Sequence, residues 1–210
     1  MIWLLAMACS DYSVREAPPA PPAPPPADET HPFGDPPDWN TCKPGLMARY
    51  SNLPSDHPDV QDELVLDTGV VDTADTAWEP LDPYTVDWWD EISFSSFEPS
   101  LEYGPGWAPV DEGLKDDPRF FAVRWEGWLR VTQNEEVPFI LGASTDAWVR
   151  VGEDTIAHLS ASPYDPKTHS ASLRTGQYPF EIRYAHRAGD ELGFRFRFTD
   201  GDVQLCPGER

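Results

Sequence analysis

The chain has 210 residues, enough for one ordinary hydrophobic core with a tail. Its 37 acidic against 15 basic side chains give a net charge of −22, which argues against a nucleic-acid binder and against an electrostatic grip on anionic lipid. Nine Trp, ten Phe and seven Tyr argue against a wholly disordered acidic protein, because such chains are poor in aromatics. The charge is uneven along the chain. Residues 1–118 carry 24 acidic and 4 basic side chains, whereas 119–210 carry 13 and 11. The second half therefore reads as a balanced folded surface and the first as a solvated, self-repelling stretch.

The N-terminus opens MIWLLAMACS, an apolar run leading to Ala8 and Cys9. Ala6-Met7-Ala8-Cys9 resembles a bacterial lipobox, in which the Cys becomes the lipidated first residue. It departs from the usual form in having Ala rather than Leu three places before the Cys and no basic residue ahead of the apolar run. Residues 1–9 are thus read as a signal-peptide-like segment, with Cys9 as the lipidation site. Ser10 after the Cys implies sorting to the outer membrane of a Gram-negative bacterium. Residues 10–38 follow as a tether. Ten of the 24 prolines fall between 18 and 37, and such a stretch favours extended polyproline II, a semi-rigid spacer.

The folded domain is expected over 39–207. With Cys9 set aside, Cys42 and Cys206 remain, one at each end of the patterned region, and an exported chain makes a disulfide between them reasonable. In a cytosolic chain they would instead be two free thiols. Residues 67–77, DTGVVDTADTA, read as a solvated Asp-Thr-rich insertion whose spacing is not that of an EF-hand loop. Residues 78–118 read as loop-rich, with Trp88, Trp89, Tyr103 and Trp107 draped over the domain. Beyond 118 the pattern has period two. Phe121, Val123 and Trp125 alternate with Arg124 and Glu126. Val137, Phe139 and Leu141 form a second run, Phe180, Ile182 and Tyr184 a third, and Leu192, Phe194, Phe196 and Phe198 a fourth. These are half-buried antiparallel strands separated by turn residues, so the fold class is an all-β, two-sheet, jelly-roll-like sandwich with long loops.

PGLMARYSNL (44–53), FAVRWEG (121–127), PFILGASTDAWVRVGEDTIAHL (138–159) and YPFEIRYAHRAGDELGFRF (178–196) are similar to successive strands of the anthrax protective-antigen-type domain, the PA-fourteen domain. The resemblance spans about 44–206 and implies a β-sandwich used mostly for glycan recognition. It also implies a calcium site, which in the glycan-binding members is held by two consecutive Asp residues. Here Thr145-Asp146 stands in their place, so only Asp146 matches. Ca²⁺ affinity follows the charge of its oxygen ligands, so Asp146 is a weak metal candidate and reads as a turn residue. Glu153, Asp154 and Asp165 would compensate only if their loops folded back toward it.

No zinc spacing, nucleophile elbow or phosphate-cradling loop is present, and the chain is read as non-catalytic. Two functions remain. The first is a surface-tethered module recognising glycans, with Asp146, Trp128 and Trp148 as ligand-binding candidates and no resident cofactor. The second is a structural envelope protein docking a protein partner. Alternation puts Trp128 on the face opposite Trp125, where it is either a stacking platform for a sugar or packing under a loop.

Overall fold

The structure is a computed structural model describing residues 34–60, 82–105, 107, 109, 119–133, 135–200 and 202–208. Cys9, the greater part of the Pro-rich tract and the 67–77 insertion lie outside the described residues. Within them there are eleven strands and no helix: β1 (Leu46–Asn52), β2 (Ile92–Glu98), β3 (Leu101–Tyr103), β4 (Phe121–Val131), β5 (Glu135–Ala143), β6 (Thr145–Val151), β7 (Asp154–Ser162), β8 (Lys167–Leu173), β9 (Gly176–His186), β10 (Phe194–Phe198) and β11 (Val203–Cys206). They form two antiparallel sheets. The larger runs β2-β1-β4-β9-β6-β7, with β11 also on β4, and the smaller runs β3-β10-β5-β8.

The period-two residues close the space between the sheets. Phe121, Val123, Trp125, Leu129 and Val131 of β4 face Val137, Phe139 and Leu141 of β5 and Phe194 and Phe196 of β10 in one buried cluster. Trp125 is fully buried and stacks on Phe194 at 4.5 Å between ring centroids. The 78–118 region departs from its loop-rich reading in two ways. It supplies β2 and β3, and β2 was hidden because ISFSSFE is an edge strand whose side chains remain largely exposed or half-buried, so no apolar alternation marks it. Its aromatics also divide. Trp88 and Trp89 cover the outer face of the larger sheet with Leu53, Phe120 and Trp148. Tyr103 and Trp107 instead are half-buried against the main core, where Trp107 stacks near Trp125 at 6.3 Å and Tyr184 at 5.9 Å.

One edge of β4 is shared. β1 pairs with residues 121–126 and β11 with 128–131, leaving Gly127 at the junction. A Cβ at Gly127 would come within 2.4 Å of the Cys206 carbonyl oxygen and 2.7 Å of Leu46, so no larger residue fits there without parting the strands. The Cys42–Cys206 disulfide closes the same junction, with a Cα–Cα distance of 6.1 Å. It joins the last strand to the segment just ahead of β1 rather than to β1 itself. Gly45 N–H donates to the Leu205 carbonyl beside it at 3.1 Å.

Candidate functional site

The turn expected to carry Asp146 is where the chain crosses from β5 of the smaller sheet to β6 of the larger. Ser144 is buried at the crossing. Its Oγ lies 2.9 Å from Tyr184 Oη and 3.3 Å from His186 Nδ1, and accepts from Gly193 N–H at 3.1 Å. Thr145 is fully buried at a φ of 75°, a left-handed conformation that is uncommon for a β-branched residue. Its hydroxyl donates to the Ala185 carbonyl, one of the contacts that hold it there.

Asp146 is buried rather than presented to solvent. Its Oδ2 accepts from Arg187 Nε at 2.8 Å, and its Oδ1 accepts from Ser160 Oγ at 3.0 Å. Arg187 is itself buried; its Nη1 donates to the Asp59 carbonyl at 3.1 Å and its guanidinium lies 5.2 Å from the Trp88 ring centre. Trp88 Nε1 in turn donates to Asp59 Oδ2 at 2.9 Å. A guanidinium thus stands against the one matching carboxylate. Glu153 and Asp154 lie at the opposite end of the β6–β7 hairpin, and Asp165 pairs with Lys167 at 3.1 Å. Among the described residues, no group of three or more His, Cys, Asp or Glu is placed to hold a metal ion.

His186 shares this end of the sandwich. Its Nε2 donates to the Gly189 carbonyl at 3.2 Å, and burial lowers its pKa to about 4. A histidine held neutral in the folded state takes up its proton on unfolding, so its share of stability is full above the unfolded pKa of about 6.5 and declines as pH falls toward the folded value. Between pH 8 and pH 5 the expected loss is about 2 kcal/mol. Urea unfolding at the two pH values should show that loss in the native chain and a smaller one in His186→Gln. Equal slopes in the two proteins would assign the acid sensitivity elsewhere.

The two tryptophan candidates lie on the outer face of the larger sheet but are covered. Trp128 is 3% exposed and Trp148 is 4% exposed. The Trp148 ring stacks on His158 at 5.1 Å and has Trp88 and Trp89 at 6.5 and 6.2 Å. Neither offers a free face on which a sugar ring could stack, and their surroundings are those of packing.

What the sequence reading did not assemble lies between them. Strand register sets Arg49, Arg124 and Arg183 side by side across β1, β4 and β9. The adjacent row sets Glu126, Glu181 and Arg150 side by side across β4, β9 and β6. Like charges directly opposite one another are destabilising, so the glutamates do the offsetting on the diagonal. Glu126 lies 3.0 Å from Arg49 Nε and 2.7 Å from Arg124 Nε. Glu181 accepts from Arg183 at 2.9 and 3.3 Å through two nitrogens, and from Tyr84 Oη at 3.2 Å. Burial raises the Glu126 pKa, opposed by the Arg124 and Arg49 charges and reinforced by Glu181. Tyr84 stands above, 42% exposed, with Arg183 and Arg150 at 4.2 and 4.9 Å from its ring centre. Together with Gly152 and Pro179 these residues enclose a cavity of about 230 Å³. The alternation of Arg124 with Glu126 and of Arg183 with Glu181 was visible in each strand. Their meeting was not, because it depends on register between strands some 60 residues apart.

No family model matches the chain, and no curated protein matches it. Among solved structures, the A domain of epithelial adhesin 9 from Candida glabrata, in complex with Galβ1-4GlcNAc, is similar with a TM-score of 0.51 at 14% identity, over 85% of this chain and 96% of that one. A form of that domain switched in subtype, in complex with β-lactose, is similar at the same TM-score and identity, over 85% and 95%. The PA14 domain of the antifreeze protein MpAFP aligns at 13% identity and a TM-score of 0.47, over 78% of this chain and 87% of that one. With the adhesin domains this chain shares one fold, a two-sheet antiparallel β-sandwich.

Proposed function

We propose that this chain is a non-catalytic glycan-binding module of an exported protein, and that it works without calcium. The observation that carries the reading is the cavity under Tyr84. Planar guanidinium and carboxylate groups converge there beside an exposed aromatic edge, the mixture of polar anchors and ring surface that fixes a small polar ligand. The adhesin 9 domains, which share the sandwich, were solved with galactose-containing disaccharides, which supports the class of ligand. Glu126 and Glu181 are held in ion pairs by three arginines, an arrangement suited to binding rather than to the exchange of protons. Calcium independence is supported by Arg187, whose positive charge already meets Asp146.

The Cys42–Cys206 disulfide suits an oxidising compartment and so an extracellular or surface location. The lipid anchor at Cys9 belongs to the same proposal. Fatty-acid labelling of cells expressing the chain should disappear in Cys9→Ser, and labelling retained in that variant would remove the anchor.

A glycan array probed with the full chain tests the main reading. Binding to a defined set of glycans, unchanged by a calcium chelator, is expected. Binding abolished by the chelator would overturn calcium independence while leaving the module a lectin. Binding to no glycan would overturn the reading itself and favour a protein-docking role.

A further inference from the structure

The ion pairs in the cavity under Tyr84 do not use up its charge. Four guanidinium groups, Arg49, Arg124, Arg150 and Arg183, face two carboxylates, Glu126 and Glu181. With both carboxylates ionised the lining is left at +2, in a chain whose net charge is −22. A chain so short of cations has gathered four of its 15 arginines and lysines onto adjacent places of one sheet face. Repulsion within the row Arg49, Arg124 and Arg183 opposes that arrangement, and the two glutamates answer only part of it.

The hydrogen bonds are incomplete as well. Arg124 Nε and Glu126 Oε2 lie within ion-pair distance of their partners, yet neither makes a hydrogen bond among the described residues. Arg150 Nε is also buried without an acceptor. Buried polar groups are ordinarily hydrogen-bonded, so these three atoms show a lining whose guanidinium groups are not fully matched by its own carboxylates. The donors outnumber the acceptors, and an arginine fork matches the two oxygens of a carboxylate or the oxygens of a sulfate ester.

We infer that this cavity takes a single acidic sugar residue, whose anionic substituent is held by Arg124 and Arg150 while Tyr84 flanks the ring. The inference rests on the glycan-binding reading and deepens it. The size agrees: about 230 Å³ is smaller than the roughly 300–1,000 Å³ of sites for drug-sized ligands, and suits one ring rather than a chain of them. Arg183 is a positioning residue. It is tied to Glu181 and to the Pro83 carbonyl, and so holds the loop that carries Tyr84 over the opening.

Titration calorimetry on the full chain tests this with methyl glucuronide, glucose 6-sulfate, methyl glucoside and sodium sulfate. The uronide or the sulfate ester should bind at least tenfold more tightly than the neutral glucoside, and which of the two is preferred identifies the substituent. Binding should weaken as salt is raised. Arg150→Gln should lose about tenfold for the acidic sugar. Its circular dichroism and unfolding midpoint establish that it remains folded, and Arg150→Lys should recover part of the affinity as a second variant. Equal affinity for acidic and neutral sugars would overturn the inference while the glycan reading stands. Sodium sulfate binding as tightly as the acidic sugar would also overturn it, since the cavity would then hold a bare anion. Failure of every sugar here and on the array would remove both.

Discussion

Replacing both Cys42 and Cys206 by serine is expected to lower the free energy of unfolding by about 5 kcal/mol. The bond closes a sequence separation of 164 residues in a chain of 210. In the chain-entropy account a loop of that length restricts the unfolded ensemble by about that amount, and native disulfides in secreted domains commonly give 2–5 kcal/mol. The native side has its own reason to feel the loss. β11 has only four residues, is bound along one edge to β4, and depends on the bond to stay beside β1. Urea unfolding of the native chain, the double serine variant and the native chain in reductant would measure it. Coincident midpoints for oxidised and double-serine protein would show that the fold does not lean on the bond.

Asp146→Ala is expected to destabilise the domain by about 3–5 kcal/mol, the range for removing one partner of a buried ion pair. The carboxylate is fully buried and the Arg187 side chain is 4% exposed, so the guanidinium would lose the Asp146 charge in a place water hardly reaches. Its contacts to the Asp59 carbonyl and the Trp88 ring would remain. Asp146→Asn keeps an acceptor for Ser160 and should cost less. Combining Asp146→Ala with Arg187→Met should restore part of the loss, because the second change removes the guanidinium that faced Asp146. Strict additivity of the two single changes would mean that the pair contributes nothing as a pair. A site adapted for Ca²⁺ would respond differently, with stability that rises on adding the ion.

The strands could be read from the sequence wherever one face is apolar and the other charged. Phe121, Val123 and Trp125, then Phe180, Ile182 and Tyr184, lie inward as their alternation implied. β2 escaped because Ser95 and Ser96 interrupt its alternation and its only partner in the sheet is β1. The candidate site was less legible. Asp146 reads as a turn residue until Arg187 is seen to reach it from 41 positions further on. Trp128 is correctly placed on the outer face by its parity, but parity does not say what covers a face. Trp148 is covered by Trp88 and Trp89, which arrive on a loop some 60 residues earlier. The arginine row is a property of register, and no local pattern carries register between strands that are distant in sequence.

The shared edge of β4 also decides how the domain answers a pull. The chain enters at Cys42 and leaves past Cys206 at one place, and β1 and β11 depart from that place in opposite directions along the same strand. Traction on the segment ahead of Cys42, with a ligand holding the outer face of the sheet, therefore divides between two ladders. A load directed along one of them is a compression along the other. Neither can be unzipped from its end without the disulfide passing the strain to its neighbour, so separation requires both rows of hydrogen bonds to fail together. A domain hung from a surface by its first strand alone would open by peeling. Here the disulfide pins the point where the segment ahead of β1 enters the domain, and single-molecule stretching from that segment should find the domain giving way at a lower force once the bond is reduced.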